Sequence, residues 1–493
     1  MVRSGLNGCS SRARVLVIAV AALTFLLGLD GVHGVGVLNL HHKFAHKWNS
    51  SDRIKDFREH DSRRHSRILS NVDIPIGGSA NPNIAGLYYA QIGLGVPAKQ
   101  YFVQVDTGSD ILWVSCTPCA KCPKSSGLGV RLTIYNPDNS GTVVTCGQPF
   151  CNLVNQVDNL DSCKQSDRCP YGVQYGDGSS TSGYFVKDTL QYNELVGNSQ
   201  MRTENASVMF GCGSQQSGDL LQSDQALDGI LGFGQANTSI LSQLASAGKV
   251  RKVFAHCLDG DKGGGILAIG DVENDVPTTP LIPNQSHYNV NLKRIDIDAA
   301  DLGIDPKVFE TTDKQGTIID SGTTLAYITE QAFKPLITAI MSAEPNLDYI
   351  LQDGTYSFVY DGSVNEAFPT ITLYFEGNLS MAVKPNDYLL LSPGNYWTIG
   401  WQNSGNQGEE NKYMTILGDL LLKNKLVIYD LESQTIGWRD YNCSSSIQMK
   451  GNNGASEYVH ATEISNGFLI RVGRFPVFLV SLLTIVLLQL KSL

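Results

Sequence analysis

Val105-Asp106-Thr107-Gly108-Ser109 returns later in the chain as Ile319-Asp320-Ser321-Gly322-Thr323. In both copies apolar residues lead into an Asp, a hydroxyl residue, Gly and a second hydroxyl residue. Each copy is followed by Ile-Leu-Gly, at Ile230-Leu231-Gly232 and at Ile416-Leu417-Gly418. One copy alone would read as a turn. The same order stated twice implies two related lobes, with the division between Gly270 and His287, in a stretch that holds Pro277, Pro280 and Pro283.

An Asp followed two residues on by Gly sits where a strand ends and the backbone turns sharply, so nearby N–H groups and hydroxyls can fix its carboxylate. If a pseudo-twofold axis brings Asp106 and Asp320 together, both cannot comfortably ionise. Like charges about 3 Å apart push one pKa up and let the other fall, and the apparent values belong to the pair. One carboxylate, ionised, can take a proton from water while the other, protonated, donates to a carbonyl oxygen. Those are the general base and general acid for adding water to an amide. Such chemistry calls for no metal and no cofactor.

The surrounding sequence is mostly β. Tyr88 to Leu94 alternates and ends in the Gly95-Val96-Pro97 turn; Tyr101 to Val105 and Ile111 to Val114 read as further strands. Val173 to Gly178 reads as a hairpin with its tip at Asp177-Gly178, where Gly tolerates positive φ. Helical periodicity is sparse, best over Gln331 to Ala343 and shorter over Ser239 to Gly248.

Composition agrees. The 493 residues suggest about three domains by length alone. Charged residues make up 17%, against about 25% in ordinary domains, and 42% of residues are hydrophobic. That excludes a disordered chain, a collagen repeat, a coiled coil and a polytopic membrane protein. The net charge of −10 is unevenly spread. Residues 35–70 carry eight Lys/Arg, four Asp/Glu and five of the nine His; residues 71–466 carry 23 Lys/Arg and 42 Asp/Glu. So acidic a body argues against nucleic-acid binding, which needs basic residues to neutralise phosphates.

Both ends read as targeting segments. Arg3, Arg12 and Arg14 precede the apolar run Val15 to Leu29, and Val32-His33-Gly34 offers a cleavage site, so residues 1–34 read as a signal peptide, with an N-terminal membrane anchor as the rival. At the other end, Ser465-Asn466-Gly467, a short spacer and the apolar run Phe475 to Leu490 read as a GPI-attachment signal over 467–493, with Ser465 or Asn466 as the attachment residue. A single transmembrane helix is the alternative, for which the run is slightly short. The expected layout between the ends is a basic pro-segment at 35–70, an N-terminal lobe at 71–276, a C-terminal lobe at 277–443 and a linker at 444–466.

Of eleven cysteines, Cys9 lies in the signal peptide. Ten remain: Cys116, Cys119, Cys122, Cys146, Cys151, Cys163, Cys169, Cys212, Cys257 and Cys443. The spacing Cys116-x2-Cys119-x2-Cys122 admits a metal-site reading. In a secreted chain an even set reads as disulfides instead, with connectivity open. Sequons at Asn49, Asn205, Asn237, Asn284, Asn378 and Asn442 are N-glycosylation candidates.

With these motifs in view, the chain resembles the pepsin-family aspartic proteases. Within them it is most similar to the plant type with a Cys-rich N-lobe insertion, and to its GPI-anchored members. The resemblance covers roughly Ile84 to Cys443. It implies a bilobal pepsin-like double β-barrel with pseudo-twofold symmetry and few helices, and Asp106 and Asp320 as the catalytic dyad, carried on Gly108 and Gly322. It implies that Ser109 and Thr323 hydrogen-bond the outer carboxylate oxygens, and that Thr107 and Ser321 reach across to the opposite lobe. Tyr175, followed by Gly176, would be the flap tyrosine over the substrate, and Trp113 the indole that supports it. Residues 35–70 would be a pro-segment that covers the acidic cleft and loosens on acidification. Plant relatives often carry a further C-lobe cysteine pair; Ser357 and Thr398 stand at the equivalent positions, which implies one bridge fewer. The saposin-like insertion of vacuolar relatives is missing between the lobes. The implied activity is an endopeptidase working at acidic pH on extended peptides with bulky apolar residues at the cut. It would be a monomer, outside the cell or at the plasma membrane, with protein or peptide substrates, no cofactor and no nucleic acid. The competing reading is a binding or inhibitor protein on the same fold.

Overall fold

The computed structural model describes residues 37–42, 88–158, 163–175, 179–195, 201–223, 226–261, 263–270, 272, 275–352, 354–392, 394–406, 412–450 and 456–460. The expected signal peptide, most of the pro-segment with Asn49, Gly176 with the Asp177-Gly178 tip, and the C-terminal anchor signal with Ser465 and Asn466 lie outside them.

Short strands dominate, because the apolar residues recur every second position between Gly, Pro and Asn turns. In the N-terminal lobe six strands hydrogen-bond in turn: Tyr88–Leu94, Lys99–Asp106, Gly229–Gly232, Trp113–Ser115, Met201–Ser217 and Ser180–Leu195. The last returns to the first through Gly93↔Gln191 and Leu94↔Leu190, so the barrel closes. The strand expected from Ile111 begins at Trp113. The C-terminal lobe repeats the central arrangement as a five-stranded sheet, ordered Tyr288–Val290, Gly316–Ile319, Met414–Leu417, Ala326–Ile328 and Trp401–Asn403, beside two four-stranded sheets.

The repeat seen in the sequence is a repeat of pairings. Lys99–Asp106 runs parallel to Gly229–Gly232, with Val105 opposite Leu231 and Asp106 opposite Gly232. Gly316–Ile319 runs parallel to Met414–Leu417, with Ile318 opposite Ile416. Each Ile-Leu-Gly triplet therefore lies beside an Asp strand. Its glycine is dictated by close approach. A Cβ on Gly232 would stand 2.6 Å from the backbone of Asp110, and one on Gly418 would stand 2.5 Å from the carbonyl of Thr323.

An antiparallel sheet joins the lobes: Thr435–Asp440, Lys425–Asp430, Val253–Leu258, Gly265–Ile269, Val37–His42 and Tyr88–Leu94. Val37–His42 belongs to the expected pro-segment, yet it occupies an internal place in this sheet. The stretch 444–466, expected as a linker, departs more clearly. Ser446–Lys450 and Ser456–His460 form a hairpin. Ile447, Met449 and Val459 are buried against Ala255, Cys257, Ile266 and Leu426. The alternation of Ile447 and Met449 with exposed or half-exposed neighbours is a strand signature that a short segment beyond the last cysteine does not advertise.

All ten cysteines are paired: Cys116–Cys212, Cys119–Cys122, Cys146–Cys163, Cys151–Cys169 and Cys257–Cys443. The Cys116-x2-Cys119-x2-Cys122 run is thus spent on two bridges and leaves no thiolate for a metal. Ser357 and Thr398 face each other across paired strands, their hydroxyls 3.1 Å apart. The helices fall where periodicity placed them, at Glu330–Ser342 and Ile240–Ser246, the latter capped by the Ser239 hydroxyl accepting from Ser242 N at 3.3 Å. Asn205, Asn237, Asn284, Asn378 and Asn442 are all exposed.

Candidate active site

The two Asp loops meet at the junction of the lobes. Asp106 closes its strand and Asp320 follows Gly316–Ile319; both are buried. The backbone N–H two residues on donates to each carboxylate: Gly108 N to Asp106 Oδ1 at 3.0 Å and Gly322 N to Asp320 Oδ1 at 2.8 Å. The chain turns back tightly enough after each Asp to put this N–H onto the carboxylate. A Cβ on Gly108 would also stand 2.7 Å from Asp320 Oδ1, so the opposing carboxylate fills the space a side chain would need.

The hydroxyls at positions 107 and 321 form the expected cross-lobe clasp. Thr107 N donates to Ser321 Oγ at 3.3 Å, and Ser321 N donates to Thr107 Oγ1 at 2.9 Å. This reciprocal pair ties together loops that are 214 residues apart. The outer hydroxyls differ from expectation. Thr323 Oγ1 donates to Asp320 Oδ2 at 2.6 Å. Ser109 Oγ, also buried, has no hydrogen-bond partner among the described residues and so does not mirror Thr323. The backbone turn is the same in both loops, with Ser109 N on the Asp106 carbonyl at 3.4 Å and Thr323 N on the Asp320 carbonyl at 3.1 Å; they diverge at the next residue, where Asp110 takes the Ala236 N–H at 2.8 Å and the second loop has Thr324.

Tyr175 follows Pro170–Gln174 and its N–H donates to the Ser179 carbonyl across the hairpin. The Trp113 indole N–H donates to the Tyr175 hydroxyl, the contact that the resemblance implies between these two residues. Gly176 lies outside the described residues.

Sequence reasoning missed a layer beneath the clasp. The Tyr429 side chain interacts with that of Thr107, and its hydroxyl lies 3.0 Å from His256 Nε2. Its ring stacks on Phe254 with centroids 4.3 Å apart and meets Tyr288 edge-on. Burial lowers the His256 pKa to about 3 and pushes the Tyr429 hydroxyl far above its usual value. Gln104, fully buried two residues before Asp106, was missed as well. Nothing local marks these residues: His256 and Tyr429 are 173 residues apart.

A bilobal β fold with paired Asp loops, a cross-lobe clasp and a tyrosine flap is the arrangement of the pepsin-like aspartic proteinases. The chain belongs to that family in its plant form. Residues 88–271 match the family described as Xylanase inhibitor N-terminal, and residues 287–440 match Xylanase inhibitor C-terminal. The chain is 43% identical to aspartic proteinase 36 of Arabidopsis thaliana over 461 residues, covering 92% of this chain and 94% of that one. It is 42% identical to aspartic proteinase 39 of the same plant, with the same coverage. Aspartic proteinase nepenthesin-1 of Nepenthes gracilis is 28% identical over 409 residues. The crystal structure of edgp has the same fold, with a TM-score of 0.61 at 16% identity, over 83% of this chain and 95% of that one.

Proposed function

We propose that the chain is an endopeptidase that hydrolyses peptide bonds at acidic pH through the Asp106–Asp320 pair. The observation that carries this reading is the pair of buried carboxylates, Asp106 and Asp320, each held by the backbone N–H two residues on, with Thr323 as a further donor to Asp320 and the reciprocal Thr107–Ser321 clasp holding the two loops against each other. A closely held carboxylate pair shares one proton over an acidic range. The ionised member takes a proton from water as the water oxygen attacks the scissile carbonyl. The protonated member gives its proton to the carbonyl oxygen. The resulting gem-diol collapses with the proton passing to the leaving nitrogen. The three donors on the inner and outer carboxylate oxygens fix both groups before substrate arrives, and the flap tyrosine closes over the peptide.

In the same reading the chain enters the secretory pathway, is glycosylated at some of its exposed sequons, is made with a basic pro-segment and is held at the cell surface by a C-terminal lipid anchor. A second reading has one observation in its favour: both matching family descriptions name inhibitors. A binding protein on this fold would keep the clasp and lose the chemistry.

One experiment separates the two. The acid-treated protein is expected to cleave a denatured protein substrate in a pepstatin-sensitive way, and Asp106→Asn or Asp320→Asn to lower kcat by at least about 10³-fold, since the base or the acid is removed outright. Cleavage by both Asn variants at the parent rate sinks the proposed mechanism.

A further inference from the structure

Gln104 is fully buried, and neither its amide nitrogen nor its amide oxygen has a hydrogen-bond partner among the described residues. A buried amide left unmatched is costly, so such groups are rare and call for an explanation. Its location supplies one. Side chains alternate along a strand, so Gln104 shares a face with Asp106, a little under 7 Å further along by the repeat of a strand.

Across the barrel Gln104 is registered with Tyr89 on one side and with Ile230 on the other. Ile230 in turn is registered with Trp113, the residue whose indole holds the flap Tyr175. Tyr89, Ile230, Trp113 and Tyr175 belong to one buried apolar cluster. The amide therefore stands in the row of residues that leads from Tyr89 to the Trp113 indole, two positions before Asp106 on the same strand.

The internal repeat offers a control within the same molecule. The residue two before Asp320 is Ile318, registered with Asn289 and Ile416, with Tyr327 beyond Ile416. Row for row, Tyr89–Gln104–Ile230–Trp113 in one lobe answers Asn289–Ile318–Ile416–Tyr327 in the other. At the position nearest each catalytic Asp, one lobe offers an amide and the other a branched alkyl group.

We infer that Gln104 determines specificity, making the N-lobe side of the cleft select a substrate side chain that both donates and accepts a hydrogen bond. A carboxamide, Asn or Gln, fits best because it can pair reciprocally with the amide. A charged side chain would pay for burial without a counter-charge. The Ile318 side keeps the apolar preference that the family resemblance implied for both sides. This rests on the proposed peptidase activity for its substrate class.

The test compares the acid-activated parent with Gln104→Met, nearly the same shape without the amide. Both are given a peptide library randomised on each side of the cut. In the parent, one flanking position should favour Asn and Gln over Leu and Met on the order of tenfold. In the variant that position should turn apolar, with the other unchanged. One apolar profile shared by both proteins overturns the inference.

A pair of non-cleavable statine-type peptides, differing only in Asn against Leu at that position, reads the pocket without catalysis. If the parent cleaves nothing, the peptidase reading fails, and tighter binding of the Asn peptide by the parent but of the Leu peptide by the variant still supports the pocket. Equal binding, or Leu preferred by the parent, overturns it. Thermal melting closes the test. Gln104→Met should melt at or above the parent, because it removes an unmatched polar group. A melting temperature lower by several degrees would mean that the amide is satisfied internally, and would also overturn the inference.

Discussion

At the scale of single residues the two halves of the site are not equivalent. Thr323 donates a short bond to the outer oxygen of Asp320, whereas the Ser109 hydroxyl at the matching position has no partner among the described residues. A buried hydrogen bond to a carboxylate contributes about 1.5–3 kcal/mol. Thr323→Ala should therefore lower kcat/KM by roughly 10- to 100-fold, while Ser109→Ala should stay within a few-fold of the parent. Steady-state cleavage at acidic pH measures both, and equal losses would mean that Ser109 joins the carboxylate when substrate binds. The dyad, its glycines and the clasp were legible in the sequence, because each partner sits within a few residues of its Asp or is named by the repeat. The Ser109 asymmetry was not, since both loops offer a hydroxyl three residues after the Asp and only their three-dimensional setting separates them. Gln104 was not legible either: a glutamine in an apolar strand means nothing until its lack of a partner is seen.

At the scale of elements, paired strands carry most of what was foreseen and some of what was not. The flap hairpin, the Asp strands and the two helices followed from local alternation, turns and helical periodicity. The terminal hairpin 446–460 did not, because its apolar residues acquire meaning only from the Cys257–Cys443 bridge that lays it against the inter-lobe sheet. The strand pair Thr355–Val359 and Tyr396–Ile399 tests how far a missing bridge matters. Ser357 and Thr398 are direct cross-strand partners in antiparallel strands. Such partners have Cα atoms about 4.5–5.5 Å apart, within the range a disulfide spans. Ser357→Cys with Thr398→Cys should therefore form a bridge across a 41-residue separation. Loop-closure entropy puts its stabilisation at up to about 4 kcal/mol. Mass change on alkylation shows whether the bridge forms. Urea melts with and without reductant show its worth, and a formed bridge that leaves the midpoint unmoved would mean native strain cancels the gain.

At the scale of the whole molecule, buried titratable groups pull in opposite directions as pH changes. Burial raises Asp110 to about 6 and Asp228 to about 7, in each case against backbone N–H groups that favour the charged form. His256 is held neutral down to about 3 by burial. For the two carboxyls the folded protein keeps a proton that the unfolded chain releases near pH 4. Their burial therefore costs nothing below about pH 4 and progressively more as pH rises through 6 and 7. For His256 the unfolded chain takes up a proton below about 6.5 that the fold refuses, so stability falls as pH drops from there towards 3. Two groups thus favour an acidic medium and one opposes it, while the 42 Asp/Glu against 23 Lys/Arg in residues 71–466 repel one another less as carboxylates protonate. Asp110→Asn isolates one contribution. Its side-chain oxygen can still accept the Ala236 N–H, but it cannot ionise. A shift of about two pKa units corresponds to about 3 kcal/mol, so the variant should match the parent at pH 4 and gain up to that amount by pH 7. Melting temperatures of both proteins at the two pH values give the comparison, with Asp228 and His256 cancelling because both proteins carry them. A variant whose melting temperature shifts between pH 4 and pH 7 by as much as the parent's would show that Asp110 titrates in the fold as it does in the unfolded chain, and that the acid preference of the fold lies in Asp228 and the surface charge.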